Sequence, residues 1–188
     1  NNMKSIIENI LSLQKDYSSK NTDSMQKRGI LIRNSLPEIL KSFEDEIAQS
    51  VDIDVNNLII EGRDASGNKT EIPWVRFANK ELSPSATIGW YVVFLFEFNG
   101  NGVYLCLSHG ASTWTGKDFK IRGDEDLIKK SKWGRSTVRN SLESLQENNI
   151  VESISLNANR KLGLAYEKST ALAKYYDESQ IPTNESIK

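Results

Sequence analysis

At 188 residues, the chain is long enough to bury roughly 70% of the surface its unfolded form exposes, so it needs no disulfide or metal staple. A single cysteine excludes an internal disulfide and a cysteine-rich zinc site, and no apolar run approaches the length of a membrane span. A formal net charge of −1 excludes a surface coated in basic residues. Lack of a disulfide framework suits a reducing cytoplasm, which is the expected compartment. The first twenty residues are polar and helix-patterned rather than a signal peptide, and Asn1-Asn2 ahead of Met3 read as a cloning remnant.

In chain order, residues 3–17 carry Ile6, Ile7, Ile10, Leu11 and Leu13 at near-helical spacing. Residues 18–23 form a polar linker, and residues 26–35 read as a second short helix. Ser35-Leu36-Pro37-Glu38 predicts a third helix start, with a cap followed by proline and an acid in the first turn. Ile39, Leu40, Phe43 and Ile47 supply its apolar stripe, which ends near Ser50. The pattern changes at Asn57. Residues 58–60 read as a strand, residues 62–68 as a turn-rich loop, and residues 70–77 as a second strand broken by Pro73. Proline has no N–H for a ladder, so that segment is expected to be an edge, a bulge or irregular. Residues 78–86 read as a loop.

Residues 71–114 hold nine of the sixteen aromatic residues, together with the one cysteine and the one histidine. Within this block the clearest hairpin joins residues 88–98 to 103–109 through Asn99-Gly100-Asn101-Gly102, residues that tolerate positive φ. With Gly100-Asn101 as a two-residue turn, Phe98 pairs with Val103, Phe96 with Leu105 and Phe94 with Leu107. That face is wholly apolar and is the expected core. The opposite face carries Tyr91, Val93, Leu95, Glu97, Tyr104, Cys106 and Ser108. A one-residue slip would mingle the two sets, so the register is self-consistent.

Residues 110–123 read as a loop, and residues 125–148 as a helical region interrupted at Gly134. Residues 150–156 read as a strand, and residues 162–177 as a short segment followed by a helix. Helices, then strands, then helices predict an α+β fold: a mainly antiparallel central sheet flanked by N-terminal and C-terminal helices. The expected division is an N-terminal helical part over 3–56, a sheet-containing recognition part of the same domain over 57–177, and a polar tail or linker over 178–188.

Catalytic readings are weak. His109 has no carboxylate at a recognisable spacing, and Cys106 falls mid-strand. No nucleophile elbow, phosphate-cradling glycine loop or H-E-x-x-H motif is present, and no cofactor is expected. Asp118-Phe119-Lys120 has the Asp-x-Lys spacing of a metal-dependent nuclease, which Asp64 could complete. Asp52, Asp54 and the run 124–126 read as helix-start or solvated acids. From residue 111 to 139 there are eight Lys or Arg and four acids, a local excess that points to a polyanionic partner. Tyr91 and Leu95 point the same way along their strand, and Trp74 lies on the preceding irregular segment. Exposed aromatics beside basic residues form stacking platforms for bases. The same residues could instead simply seal the sheet.

Ile72-Pro73-Trp74, then Ser85, Gly89 and Tyr91 in S-x-x-x-G-x-Y, then V-Y-L-x-L-x-x-G over 103–110, resemble the N-terminal DNA-binding domain of McrB-type modification-dependent restriction proteins. The later L-G-x-x-Y-E over 162–167 is similar to the family's C-terminal part. The resemblance implies a module that binds modified cytosine in DNA by flipping the base into a pocket made by Trp74, Tyr91 and Leu95. A further family aromatic precedes the Gly-Asn upstream of the I-P-W block. Here Ser66 precedes Gly67-Asn68, which implies a roomier pocket, or one completed by another side chain such as Trp90.

The expectation is therefore a DNA-recognition module of a modification-dependent restriction system, not itself an enzyme. It would bind double-stranded DNA carrying a modified cytosine such as 5-methylcytosine. Lys117, Lys120, Arg122, Lys129 and Arg135 would contact phosphates, which position a duplex without reading its sequence. A fused or separate nuclease or motor subunit would supply the effector step. The alternatives are a metal-dependent DNA endonuclease using Asp118 and Lys120, or a protein-interaction domain.

Overall fold

The computed structural model describes residues 2–139 and 149–181. The expected α+β architecture is present: an antiparallel six-stranded sheet flanked by helices. Helix α1 (Met3–Gln14) starts at Asn2, whose side chain accepts from the Ser5 N–H at 2.8 Å, so this residue caps the helix. Helix α2 (Asp23–Ile30) runs through a π turn (Leu31–Ser35) directly into α3 (Leu36–Lys41). Ser35 is therefore not the expected cap: its φ of −63° and ψ of −49° are helical. The π turn lies just ahead of Pro37, which cannot donate to the carbonyl four residues back and clashes with it. Instead the Leu36 N–H reaches back five residues to Leu31 O, absorbing the proline without ending the rod. The rod does break at Phe43, and α4 (Glu44–Ser50) is separate.

Strands β1 (Leu58–Arg63), β2 (Trp74–Asn79), β3 (Trp90–Phe96) and β4 (Gly102–His109) form an antiparallel meander. β2 starts immediately after Pro73, so the proline sits outside the ladder rather than within it. The β3–β4 register is displaced by two residues from expectation: Phe96 pairs with Val103, Phe94 with Leu105 and Val92 with Leu107. The loop contains four residues, 98–101, closed by Glu97 N–H donating to Gly102 O at 3.0 Å, with Gly100 at φ 74°. Because the side-chain period of a strand is two, this displacement leaves each face's membership intact. Phe98 alone changes role. It leaves the ladder and packs edge-on to Tyr17, with ring centroids 5.3 Å apart.

Residues 110–123 are more ordered than the expected loop. β5 (Ser112–Trp114) and β6 (Phe119–Ile121) make a separate two-stranded ribbon. Helix α5 (Asp124–Arg139) passes unbroken through Gly134, whose missing side chain admits the Trp90 ring; a Cβ there would come within 2.3 Å of it. The predicted continuation of that helix to 148 lies outside the described residues. β7 is only Ile150–Val151, and the chain then leaves the sheet. The C-terminal order reverses the expectation. Helix α6 (Lys161–Lys168) comes first, and Thr170–Asp177 is a strand, β8, inserted between β4 and β7.

The two sheet faces do different work. One packs under α1 to α3 in a core of Ile7, Ile10, Ile32, Leu36, Leu40, Val75, Phe94, Phe96 and Val103, all fully buried. Fully burying each such side chain contributes about 2 kcal/mol. The other face, with Val93, Leu95 and Cys106, is covered by Ile72, Leu156 and Tyr166.

A buried polar hub joins the helices to the sheet. Gln14 Nε2 donates to Glu71 O at 2.9 Å, Glu97 O at 3.1 Å and Phe96 O at 3.3 Å, while its Oε1 accepts from Arg28 at 2.7 Å. Gln14 is 1% exposed and Arg28 fully buried. Burial pulls the Arg28 guanidinium down to about 10, so it stays charged at neutral pH. Replacing Gln14 with Leu would strand these partners. Urea denaturation of Gln14→Leu should show a loss of about 2–3 kcal/mol; an unchanged midpoint would contradict the hub's role.

Candidate functional site

Strand parity decides which residues meet on the second face. Trp74 on β2 lies directly opposite Leu95 on β3, and Tyr91 lies on the same face two pairs away. Together they line a cavity of about 820 Å³. Val93 and Ser108 also line it, Tyr166 and Leu162 of α6 border it, and the loop after β1 contributes Asp64, Ala65 and Ser66.

Each aromatic wall is held. The Tyr91 hydroxyl donates to Ala86 O at 2.8 Å, and the Arg76 guanidinium sits 5.3 Å from the centre of its ring. Burial raises the phenol well above its ordinary range, so it remains a neutral donor. Trp74 packs with Tyr166 in one apolar cluster, and burial pushes the Tyr166 hydroxyl up to about 12. Arg76, fully buried beneath Tyr91, donates through Nε to Glu61 at 2.7 Å and through Nη1 to Ser83 Oγ and O at 2.9 and 3.1 Å. These bonds tie β1, β2 and the loop that bears Ala86 into one wall.

One end of the cavity is charged. Asp64, 2% exposed, pairs with Arg33 at 2.6 Å and Lys69 at 3.5 Å. Its Oδ2 has no hydrogen-bond partner among the described residues. Ser66 is exposed beside it and leaves that side of the cavity without an aromatic wall.

The sequence-predicted residues separate into three groups. Trp74, Tyr91, Leu95 and Ser66 come together around the cavity. Trp90 does not join them: its parity turns it to the other face, where it packs against His109 at 5.1 Å and Trp133 at 6.2 Å. Among the basic residues, Lys117, Lys120 and Lys129 are exposed and carry no ion pair among the described residues. Arg122 and Arg135 are instead braces. Arg122 donates to Gly110 O at 3.0 Å and Thr87 O at 3.1 Å, and Arg135 to Ala171 O at 3.0 Å and Glu152 O at 2.8 Å. Two residues that build the cavity wall escaped the sequence reading. Arg76 shares Trp74's strand parity, which was a usable signal, and Tyr166 sits within the L-G-x-x-Y-E block.

The catalytic candidates find no chemistry. Asp118 is exposed at a turn and accepts from the Thr115 hydroxyl, while Asp64 is committed to its two cations. Among the described residues no three His, Cys, Asp or Glu converge as a metal site would need. Burial lifts the Cys106 thiol far above a reactive range. Nor is any described helix long and apolar enough to cross a membrane.

A family model described as the MrcB-like, N-terminal domain matches residues 12–188. The chain belongs to this family. Membership supports a role in a McrB-type restriction system and fits a DNA-binding module rather than a catalytic one. No curated protein and no solved structure matches the chain.

His109 in this MrcB-like domain is 3% exposed, with Nδ1 3.1 Å from Gly110 O and Nε2 3.1 Å from Leu127 O. Burial lowers its pKa below the ordinary 6.5, partly offset by those carbonyls. The unfolded chain then takes up a proton that the folded chain resists. The histidine's contribution to stability is therefore complete above about pH 6.5 and declines below it. As the single histidine, it should titrate by NMR with a midpoint below that value, and the melting temperature should fall on acidification through the same window. A midpoint at or above 6.5 would refute this.

Proposed function

We propose that this domain binds double-stranded DNA carrying a modified cytosine, such as 5-methylcytosine, and extrudes that base into the cavity bounded by Trp74, Tyr91 and Leu95. A base inside a duplex shows only its edges, so a reader that must enclose a substituent takes the base out of the stack. The observation that carries the reading is the cavity itself: three side chains on one sheet face, two of them aromatic and one of these, Tyr91, fixed by a hydrogen bond, around an empty volume. Tyr166 borders the same cavity and packs in one apolar cluster with Trp74.

The volume also bears on specificity. A six-membered ring fits a void of roughly 150 Å³, so about 820 Å³ leaves room for a substituent larger than methyl. That room lies towards Ser66 and the charged end at Asp64. Hydroxymethylcytosine is therefore expected to bind at least as well as methylcytosine. Lys117, Lys120 and Lys129 hold phosphates in this reading, while Arg122 and Arg135 keep their braces. Cleavage or translocation belongs to a fused or separate effector.

The decisive experiment is a titration against matched duplexes carrying cytosine, methylcytosine or hydroxymethylcytosine. A preference for modified duplexes is expected, and Trp74→Ala should reduce it by about tenfold or more, as losing one base-stacking ring typically does. Equal affinity for all three duplexes, or full preference in Trp74→Ala, would sink the pocket reading.

Neutralising Lys117 and Lys120 together should weaken binding to every sequence alike. It should also flatten the slope of log affinity against log salt by about two units. An unchanged slope would remove these lysines from the interface.

A further inference from the structure

At the border of the cavity, the β5–β6 ribbon presents an unusual surface. Trp114 is 55% exposed and Phe119 67% exposed, and they face each other across the ribbon with ring centroids 4.8 Å apart. Two large aromatics left in water on a short ribbon gain little for the fold and mark a surface that meets a partner.

The ribbon is also firmly mounted. Its tip is closed by Thr115 N–H donating to Asp118 O at 2.9 Å, with the Thr115 hydroxyl on the Asp118 carboxylate. At its root the Arg122 N–H donates to Ala111 O at 2.9 Å, and the Arg122 guanidinium bridges Gly110 O and Thr87 O. Thr87 follows Ala86, the residue that anchors the Tyr91 hydroxyl, so ribbon and pocket wall share one support. Phe119 and Ile121 line the cavity, which places the ribbon at its mouth.

Charge identifies the partner. Lys117 at the turn and Lys120 on β6 project from the ribbon without ion pairs among the described residues, and its one acid, Asp118, is occupied by Thr115. Basic residues beside exposed aromatics suit a nucleic acid better than an apolar protein face. A two-stranded ribbon fits the DNA major groove. Extruding a base leaves a gap in the stack, and proteins that open a base step commonly wedge an apolar side chain into it.

We propose that the β5–β6 ribbon is the wedge that fills this gap. Phe119, the more exposed ring and the one at the cavity mouth, enters the stack in place of the extruded cytosine. Trp114 backs it, and Lys117 and Lys120 hold the flanking phosphates. The proposal rests on the base-extrusion reading above, because without extrusion there is no gap to fill.

The test uses the full chain with three duplexes: plain, methylcytosine-bearing, and one with an abasic site, where a gap exists but no base can occupy the pocket. An aminopurine beside the target position reports unstacking. Phe119→Ala should lose about tenfold in affinity for both the methylated and the abasic duplex and should lower the aminopurine signal. Phe119→Leu, still apolar, should recover most of both. Trp74→Ala should lose the methylated preference yet keep its abasic affinity. Phe119 is exposed, so circular dichroism should show an unaltered fold in its variants. If wild type prefers methylated DNA and Phe119→Ala binds the methylated and abasic duplexes as wild type does, the wedge is overturned while the pocket stands, and the aromatic pair belongs to a protein contact. If wild type shows no preference for methylated DNA, the extrusion reading falls and takes the wedge with it.

Discussion

Pro73 gives no N–H to a ladder, and the residues just before Trp74 pair with no strand, yet they run through a largely buried part of the molecule. Three successive carbonyls there are satisfied by three side chains from the N-terminal half. Tyr17 donates to Lys69 O at 2.6 Å, Arg28 to Thr70 O at 2.9 Å and Gln14 to Glu71 O at 2.9 Å. A buried carbonyl without a donor costs on the order of a lost hydrogen bond, so this arrangement fixes where the chain enters β2. The Glu71 carboxylate extends the tie to the opposite side, accepting from the backbone N–H groups of Asn159 at 3.1 Å and Arg160 at 2.6 Å. The position of Trp74 thus depends on groups drawn from opposite ends of the chain.

With that entry fixed, the sheet can afford an asymmetric design. One face is closed by helices and carries most of the apolar burial. The other is freed to leave a cavity, because Tyr91 is held by a hydrogen bond and the Arg76 beneath it by an ion pair with Glu61, as well as by packing. Arg76 shows the trade. A fully buried guanidinium is costly unless it is paired, and here Glu61 and Ser83 pair it while its flat face supports Tyr91. The result is an aromatic wall with little freedom to swing into the empty volume.

Much of this was legible in the primary structure, and the reasons differ by element. The two faces of the β3–β4 hairpin were readable because alternation encodes parity, and parity survives a displacement of two residues. The register itself was not, since Asn-Gly-Asn-Gly offers more than one acceptable turn. β8 was misread as helix because Ala171, Leu172 and Ala173 are all buried, giving a continuous apolar run without alternation, and alanine and lysine favour helices locally. Pairing with β4 and β7 overrode that preference. That Tyr91 and Leu95 share a face was accessible through parity, and family likeness added Trp74, which lines the same cavity. The roles of Arg122 and Arg135 were not, because composition cannot show whether a guanidinium faces solvent or is already taken by backbone carbonyls. Trp90 lies off the cavity for the same reason that Tyr91 lines it: adjacent strand residues face opposite ways.

The loop after β1 is held at both ends and free between them. Asp64 is clamped by Arg33, and Lys69 is fixed through its own carbonyl and through its ammonium on Ala65 O at 2.9 Å. Residues 65–68 between these clamps are exposed, and a side chain added at Gly67 would meet nothing within 4 Å. Apart from Ala65, whose φ of 71° disfavours bulkier side chains, such a tip can exchange residues at little cost to folding while altering what the cavity encloses. It is the stretch of the cavity's border that the fold constrains least. For the same reason it is the natural place to vary the sequence when the cavity's outline is to be reshaped and the fold kept.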